Sequence, residues 1–400
     1  MSVISFIPQS ENMNFKKILL FIMLLIAAKV NAQTKAQTDS AKNDSLMLQK
    51  IQDEMQQSQP AAQPQAHAGA SANPDISVIG DFRGLYRSYG KHNFDAVLNE
   101  AEFSFQSVID PYARADFFYS VSEDPATGKF SGEVEEGYLT TLALPAHLQL
   151  KAGRFKQSLG RLNLVHPHAL PFIDMPDVYK NFFGEEGLKG DGISASWLLP
   201  NPLFYQELTF EATDVDPESP TFERSSGNNY LYLAHLRNFW DLSANATIEF
   251  GLTGSTGENL AGKRTNIGAL DFTYKWKPVQ FNTYKQFTFQ NEFYYSHAQQ
   301  VGNNIVNALG FYSMIYTQIG KRTFLTGMFD YSNAPTSNTF VQKSGSITLG
   351  WEATEFQKIE IEAKYTTMNQ AEAEYNFEKN FTTAFLRWIF VIGSHGAHRY

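Results

Sequence analysis

Two histidines and two aspartates crowd into one short stretch, HPHALPFIDMPD, running from His166 to Asp177. Imidazole nitrogens suit zinc-type ions, and carboxylates can complete such a site with oxygen. In an extended His-Pro-His both rings can lie on one side. His166 and His168 with Asp174 and Asp177 are therefore a candidate four-coordinate metal set, with zinc as the candidate ion. A histidine oriented by Asp174 would also serve as the base of a hydrolase. Neither an HExxH spacing nor a GxSxG nucleophile motif accompanies them. The blander reading is a loop, because Pro167, Pro171 and Pro176 disfavour both helix and strand. A second pair, His395 and His398, lies near the C-terminus, and His67 stands in no constellation.

What positions this stretch depends on the rest of the chain. Residues 13–32 read MNFKKILLFIMLLIAAKVNA: a basic start at Lys16 and Lys17, a short apolar run, then small residues at Val30 and Ala32. That is the logic of a cleavable signal peptide over residues 1–32, with Met13 as a possible start and cleavage before Gln33. Residues 33–75 are rich in Gln, Ala, Ser and Pro, a linker composition that cannot bury a core. Within it Leu48, Ile51 and Met55 share one helical face, as a short coiled coil or a frayed helix would. The chain has no cysteine, which excludes disulfide and thiolate chemistry. Its formal charge is −9, and an acidic chain has no general attraction for nucleic acid.

From Ile76 onward the pattern changes to period 2. The chain carries 33 Phe, 19 Tyr and 5 Trp, many of them on alternating positions. Phe103 and Phe105 face one way while Glu100, Glu102, Ser104 and Gln106 face the other. Phe117, Tyr119 and Val121 oppose Arg114, Asp116 and Ser120; Leu386, Trp388 and Phe390 repeat the pattern at the end. Such alternation requires a sheet with one apolar and one polar face. About sixteen candidate strands of roughly 10–14 residues follow, long enough to cross a bilayer at a tilt. Short connections near Asp110, Pro145, Pro200, Asp241, Lys321 and Glu355 alternate with longer ones at 89–96, 122–132, 156–191, 214–228, 255–264, 298–304, 333–340 and 369–379. The expectation is an all-β, transmembrane antiparallel β-barrel over 76–400, with short periplasmic turns and long extracellular loops. Only a helix or a closed barrel satisfies the backbone in lipid. The apolar face then looks outward, with Tyr86, Tyr138, Trp197, Tyr274, Trp276 and Trp351 as interfacial girdle candidates.

The polar face would line a water-filled lumen. Its charges are Asp81, Arg83, Arg87, Glu100, Glu102, Arg114, Asp116, Glu133, Glu135, Lys151, Glu207, Glu211, Arg237, Glu292, Glu360, Glu362 and Arg387, an acidic excess that favours cations. The connection 156–191, third of the long set and the longest, is the one able to fold into that lumen. Arg161 and Lys180 against Asp174, Asp177, Glu185 and Glu186 are the candidate constriction charges, and Phe172, Phe182 and Phe183 could pack the loop on the wall.

The segment LALPAHLQLKAGRFKQSLGRLNLVHPHALPFIDMPDVYKNFFGEEGLKGDGISASWLLP (142–200) resembles a family of bacterial outer-membrane proteins whose members are described as porins or as zinc-regulated TonB-dependent outer membrane receptors. The C-terminal IGSHGAHRY is similar to the same family's ending, and KAGRFKQSLG resembles a strand-loop junction of phosphate-selective porins. These stretches carry the resemblance; the rest matches in pattern only. It implies an outer-membrane barrel, with a link to metal supply. A TonB-dependent receptor has about 22 strands and a folded plug, for which residues 33–76 leave no room.

The sequence therefore reads as a porin-like channel, not an enzyme, for passive diffusion of small hydrophilic solutes in the outer membrane of a Gram-negative bacterium. Outer-membrane lipids and small solutes or cations are the expected partners, and a homotrimer the expected assembly. A barrel dedicated to metal-ion or metal-chelate uptake is the alternative, with a surface hydrolase or adhesin behind it.

Overall fold

The computed structural model describes residues 74–393, apart from 91–92, 126, 202, 216–218, 224–229 and 282–283. The expected signal peptide, the expected linker up to residue 73, His67, His395 and His398 lie outside the described residues. Among the described residues sixteen antiparallel strands close into one barrel. They are β1 (Asp75–Arg87), β2 (Phe94–Asp110), β3 (Ala113–Glu123), β4 (Phe130–Thr141), β5 (Leu148–Lys156), β6 (Lys189–Leu198), β7 (Tyr205–Thr213) and β8 (Leu231–Ser243). The second half comprises β9 (Ala246–Glu258), β10 (Arg264–Trp276), β11 (Gln286–Gln299), β12 (Ile305–Gln318), β13 (Thr323–Ala334), β14 (Ser337–Thr354), β15 (Gln357–Met368) and β16 (Asn380–Gly393). Each strand pairs with the next, and β1 pairs with β16 from Ser77↔Gly393 to Arg87↔Thr383, so no edge is left.

The period-2 pattern settles which face looks out. Ile193, Phe210, Leu252, Phe329, Ile347, Ile361, Leu386 and Trp388 are exposed on the barrel exterior, while Asp81, Glu102, Asp116, Glu211, Glu292, Glu362 and Arg387 are buried inside. Among the girdle candidates Trp197 and Trp351 are exposed and the other four half-buried. One rim carries turns as tight as 111–112, 244–245 and 355–356, and the ends of β1 and β16 lie on it.

Two expectations change. Several of the long polar connections are strand: the segment 333–340 is a turn at Pro335-Thr336 between extended β13 and β14, and 255–264 shrinks to 259–263. Polar alternating residues continue the ladder beyond the apolar belt, so polarity alone misreads them as loop. The lumen is also not uniformly polar. Leu231, Leu233, Ile267, Tyr294, Tyr312, Met314 and Met328 face inward and are buried in one apolar cluster with the segment between β5 and β6.

Candidate functional site

That segment, 157–188, folds into the barrel and meets inward-facing side chains of strands around the wall. Its two ends are tied together first. The Asn163 carboxamide donates to the carbonyls of Gln157 and Leu188, each at 2.7 Å, and accepts from the Leu188 amide at 2.8 Å and the Tyr179 hydroxyl at 2.5 Å. Gly160 has φ +60°, and a side chain there would run into the Glu292 carboxylate. That close approach lets Glu292 accept from the amides of Arg161 (3.3 Å) and Leu162 (2.8 Å), while the hydroxyls of Tyr294 and Tyr312 hold its orientation. Glu211 accepts in the same way from the Ser158 amide and hydroxyl. A loop taken out of water must have its backbone groups paired, and here wall side chains supply the partners.

On the β2–β4 side the wall presents carboxylates to the two histidines. His166 Nδ1 lies 2.9 Å from Glu102 Oε2 and 3.2 Å from Glu135 Oε2, and Nε2 lies 2.9 Å from Glu136 Oε1. His168 Nδ1 lies 3.7 Å from Glu102 Oε2 and 4.0 Å from Glu100 Oε1, and the two rings tilt against each other at 5.6 Å. Strict alternation would send Glu135 and Glu136 to opposite faces. The β3–β4 register instead jumps from Phe118↔Glu136 to Tyr119↔Val134, a bulge that turns both glutamates inward. Burial alone would make the His166 imidazolium less stable. The Glu102 charge and bonds to Glu102, Glu135 and Glu136 outweigh that and raise its pKa well above the ordinary histidine value.

On the β15–β16 side the chemistry is reversed. Arg387, fully buried, pairs with Glu360 at 2.5 Å and donates to the loop carbonyls of Pro167, Leu170 and Phe172 at 3.1, 3.0 and 2.8 Å. Lys358 donates to the carbonyls of His168 and Leu170. Glu362 accepts from the Ile173 amide at 2.7 Å. Lys364 pairs with Asp174 at 2.7 Å and Asp177 at 2.5 Å, and Lys180 with Asp174 at 3.0 Å. Burial would raise the Asp174 carboxyl, but Lys180 and Lys364 hold it below the usual carboxylate range. Lys180 is half-buried, and against the cost of desolvation Asp174, Glu185 and Asp177 push its pKa well above the ordinary lysine value.

A short helix, α1 (Asp177–Phe183), follows. Val178, Tyr179, Phe182 and Phe183 lie in the apolar cluster, so these aromatics do pack the loop onto the wall. Phe183 meets Tyr294 edge-on at 5.2 Å. A cavity of about 510 Å³ remains against the loop, lined among others by Arg161, Phe172, Lys275, Lys277, Gln290 and Lys358.

The sequence-derived sites are thus partly joined and partly split. His166 and His168 come together, but with Glu102; among the described residues neither Asp174 nor Asp177 belongs to that ligand group. The two aspartates pair with Lys364 instead. The constriction charges do not face each other across an open neck. Arg161 pairs with Glu249 at 2.9 Å, Lys180 with Asp174, Asp177 and Glu185, while Glu186 is half-buried. Glu136, Lys358 and Lys364 were not legible as loop partners. Lys358 and Lys364 share the inward face with Glu360 and Glu362, so the β15 alternation carried their signal; Glu136 was hidden by the bulge.

No protein-family model matches this sequence. An uncharacterized protein of Aquifex aeolicus is 30% identical over 56% of this chain, which spans about half the length (55%) of that relative. Among solved structures, a loop-deletion mutant of OmpT, an outer membrane protein of Vibrio cholerae, superposes with a TM-score of 0.54 at 8% identity, covering 80% of this chain and 98% of that one. An anion-selective porin from Comamonas acidovorans gives 0.53 at 10% identity, covering 79% and 98%. OprB of Pseudomonas putida gives 0.54 at 7% identity, covering 80% and 94%. At these identities the likeness is one of fold: a sixteen-strand barrel of the porin kind.

Proposed function

We propose that this chain is an outer-membrane channel for passive diffusion of small hydrophilic solutes, narrowed by its third loop. The observation that carries the reading is the inverted barrel: apolar side chains outside, charged side chains inside, and one long loop folded into the lumen. An apolar exterior on a closed sheet suits lipid and no aqueous setting. The tight-turn rim then faces the periplasm and the long-loop rim the outside. Buried lumenal carboxylates far outnumber buried lumenal bases, so the channel favours cations. Because the loop is tied to the wall on several sides, the resting pore is small, and the solutes it passes are small. A trimer form of OmpT of Vibrio cholerae shares the fold with a TM-score of 0.52, which supports a homotrimer as the assembly.

The test is reconstitution in a planar bilayer. Stepwise conductance with cation-selective reversal potentials is expected. Absence of any conductance steps from folded, inserted protein would sink the channel reading. Fractionation should place the protein with outer-membrane markers, and crosslinking should give a trimer.

A further inference from the structure

We propose that Glu102, His166 and His168 bind one divalent transition-metal ion of the zinc type, which latches the third loop to the β2 wall. The two histidines belong to the loop and the glutamate to the barrel, so the ion would bridge the two. Each residue offers a ligand atom, all within 4.8 Å of one another, and all three are buried. A tetrahedral ion with bonds of about 2.0–2.1 Å holds its ligand atoms roughly 3.3 Å apart. The 2.9 Å and 3.7 Å separations of His166 Nδ1 and His168 Nδ1 from Glu102 Oε2 bracket that spacing.

Two further observations point to a ligand. Glu102 is 1% exposed, and its Oε1, like Oε1 of buried Glu100, accepts no hydrogen bond among the described residues. A bare carboxylate oxygen in such a place lacks the compensation that burial demands. The other is Glu136, which bonds Nε2 of His166 at 2.9 Å and leaves Nδ1 turned toward Glu102. A carboxylate on the far nitrogen is the usual way a metal-bound imidazole is oriented. Glu100 and Glu135, grouped with Glu102 in a second set of mutually close ligand atoms, are placed to give a fourth ligand. Two imidazoles with a carboxylate suit zinc, nickel or copper; calcium and magnesium prefer all-oxygen sites.

The experiment uses the full-length folded barrel, stripped with a chelator and titrated with zinc chloride, with cobalt(II) as the spectroscopic probe. One equivalent should bind, and cobalt should give intense tetrahedral visible bands. The His166→Ala/His168→Ala double variant should lose roughly a hundredfold or more in affinity, Glu136→Gln about tenfold or more, and His297→Ala nothing. Equal weak binding by wild type and double variant overturns the proposal. If the double variant fails to fold, judged by its heat-dependent gel mobility, X-ray absorption of the zinc-loaded wild type decides. Imidazole scattering supports the site, and an all-oxygen shell overturns it. Loss of this site would leave the conductance result, and the channel reading, untouched.

Discussion

The third loop meets two opposite kinds of wall. Against β2 and β4 the barrel supplies carboxylates and the loop supplies imidazoles. Against β15 and β16 the barrel supplies cations, which hold loop carbonyls and the carboxylates Asp174 and Asp177. The cationic wall is nearly self-sufficient, because Arg387 and Lys364 satisfy the groups they bury. The acidic wall carries more carboxylate than the loop neutralises. The difference teaches which wall fixes the loop in the bare protein and which has capacity for an added cation.

Arg387→Leu leaves buried Glu360 to its longer contact with Lys358 at 3.4 Å and takes a donor from three loop carbonyls, so it should cost about 3–5 kcal/mol in denaturant unfolding and raise single-channel conductance. A near-neutral result would show that the cationic wall is not the anchor. Lys364→Met removes the bonds to Asp174 and Asp177 but leaves Lys180 on Asp174; a loss of about 2–3 kcal/mol is expected, with faster proteolysis within 173–183. Gly310 is the next point of attack. A side chain there would overlap Val178 of α1, so Gly310→Val should lift the helix off β12 at about 1–3 kcal/mol. Conductance equal to wild type would mean the helix does not bound the pore. On the acidic wall, Glu102→Gln in metal-stripped protein thins a surplus of charge and should cost less than about 1 kcal/mol; a cost matching Arg387→Leu would erase the contrast.

The smallest expected effect is a pH response that does not occur. Asp174 has a depressed pKa, so its contribution is present above the ordinary value of 3.8 and lost only as pH falls through the depressed one. Lys180 is shifted upward, so its contribution is complete below 10.5 and lost only as pH rises through the raised value. The stability added by the Asp174–Lys180 pair, read as the difference between wild type and Lys180→Met in denaturant unfolding, should therefore stay flat between about pH 5 and 9. A step inside that window would show that this wall titrates after all.

How far the sequence could be read follows from range. Phe117 and Trp388 facing out, and Asp116 and Arg387 facing in, follow from period 2 along a single strand. The side of the sheet on which each falls needs no knowledge of any other strand. Closure follows too, because lipid allows no edge, and a count of about sixteen follows from the number of alternating runs. Glu136 escaped that logic, since one bulge in β4 resets the alternation and nothing local announces it.

The loop shows the other limit. Its length and its prolines were visible, and so was its capacity to enter the lumen. Chain spacing put His166, His168, Asp174 and Asp177 in one set, because neighbours along a loop look like neighbours in space. Tertiary structure parted them: the carboxylates of Glu102 and Glu136 draw the imidazoles one way, and the ammonium of Lys364 draws the aspartates the other. Short-range periodicity, a property of the backbone, was determined by the sequence alone. The partner of each loop charge was decided only when the barrel closed and set β2–β4 and β15–β16, far apart in sequence, on either side of β1.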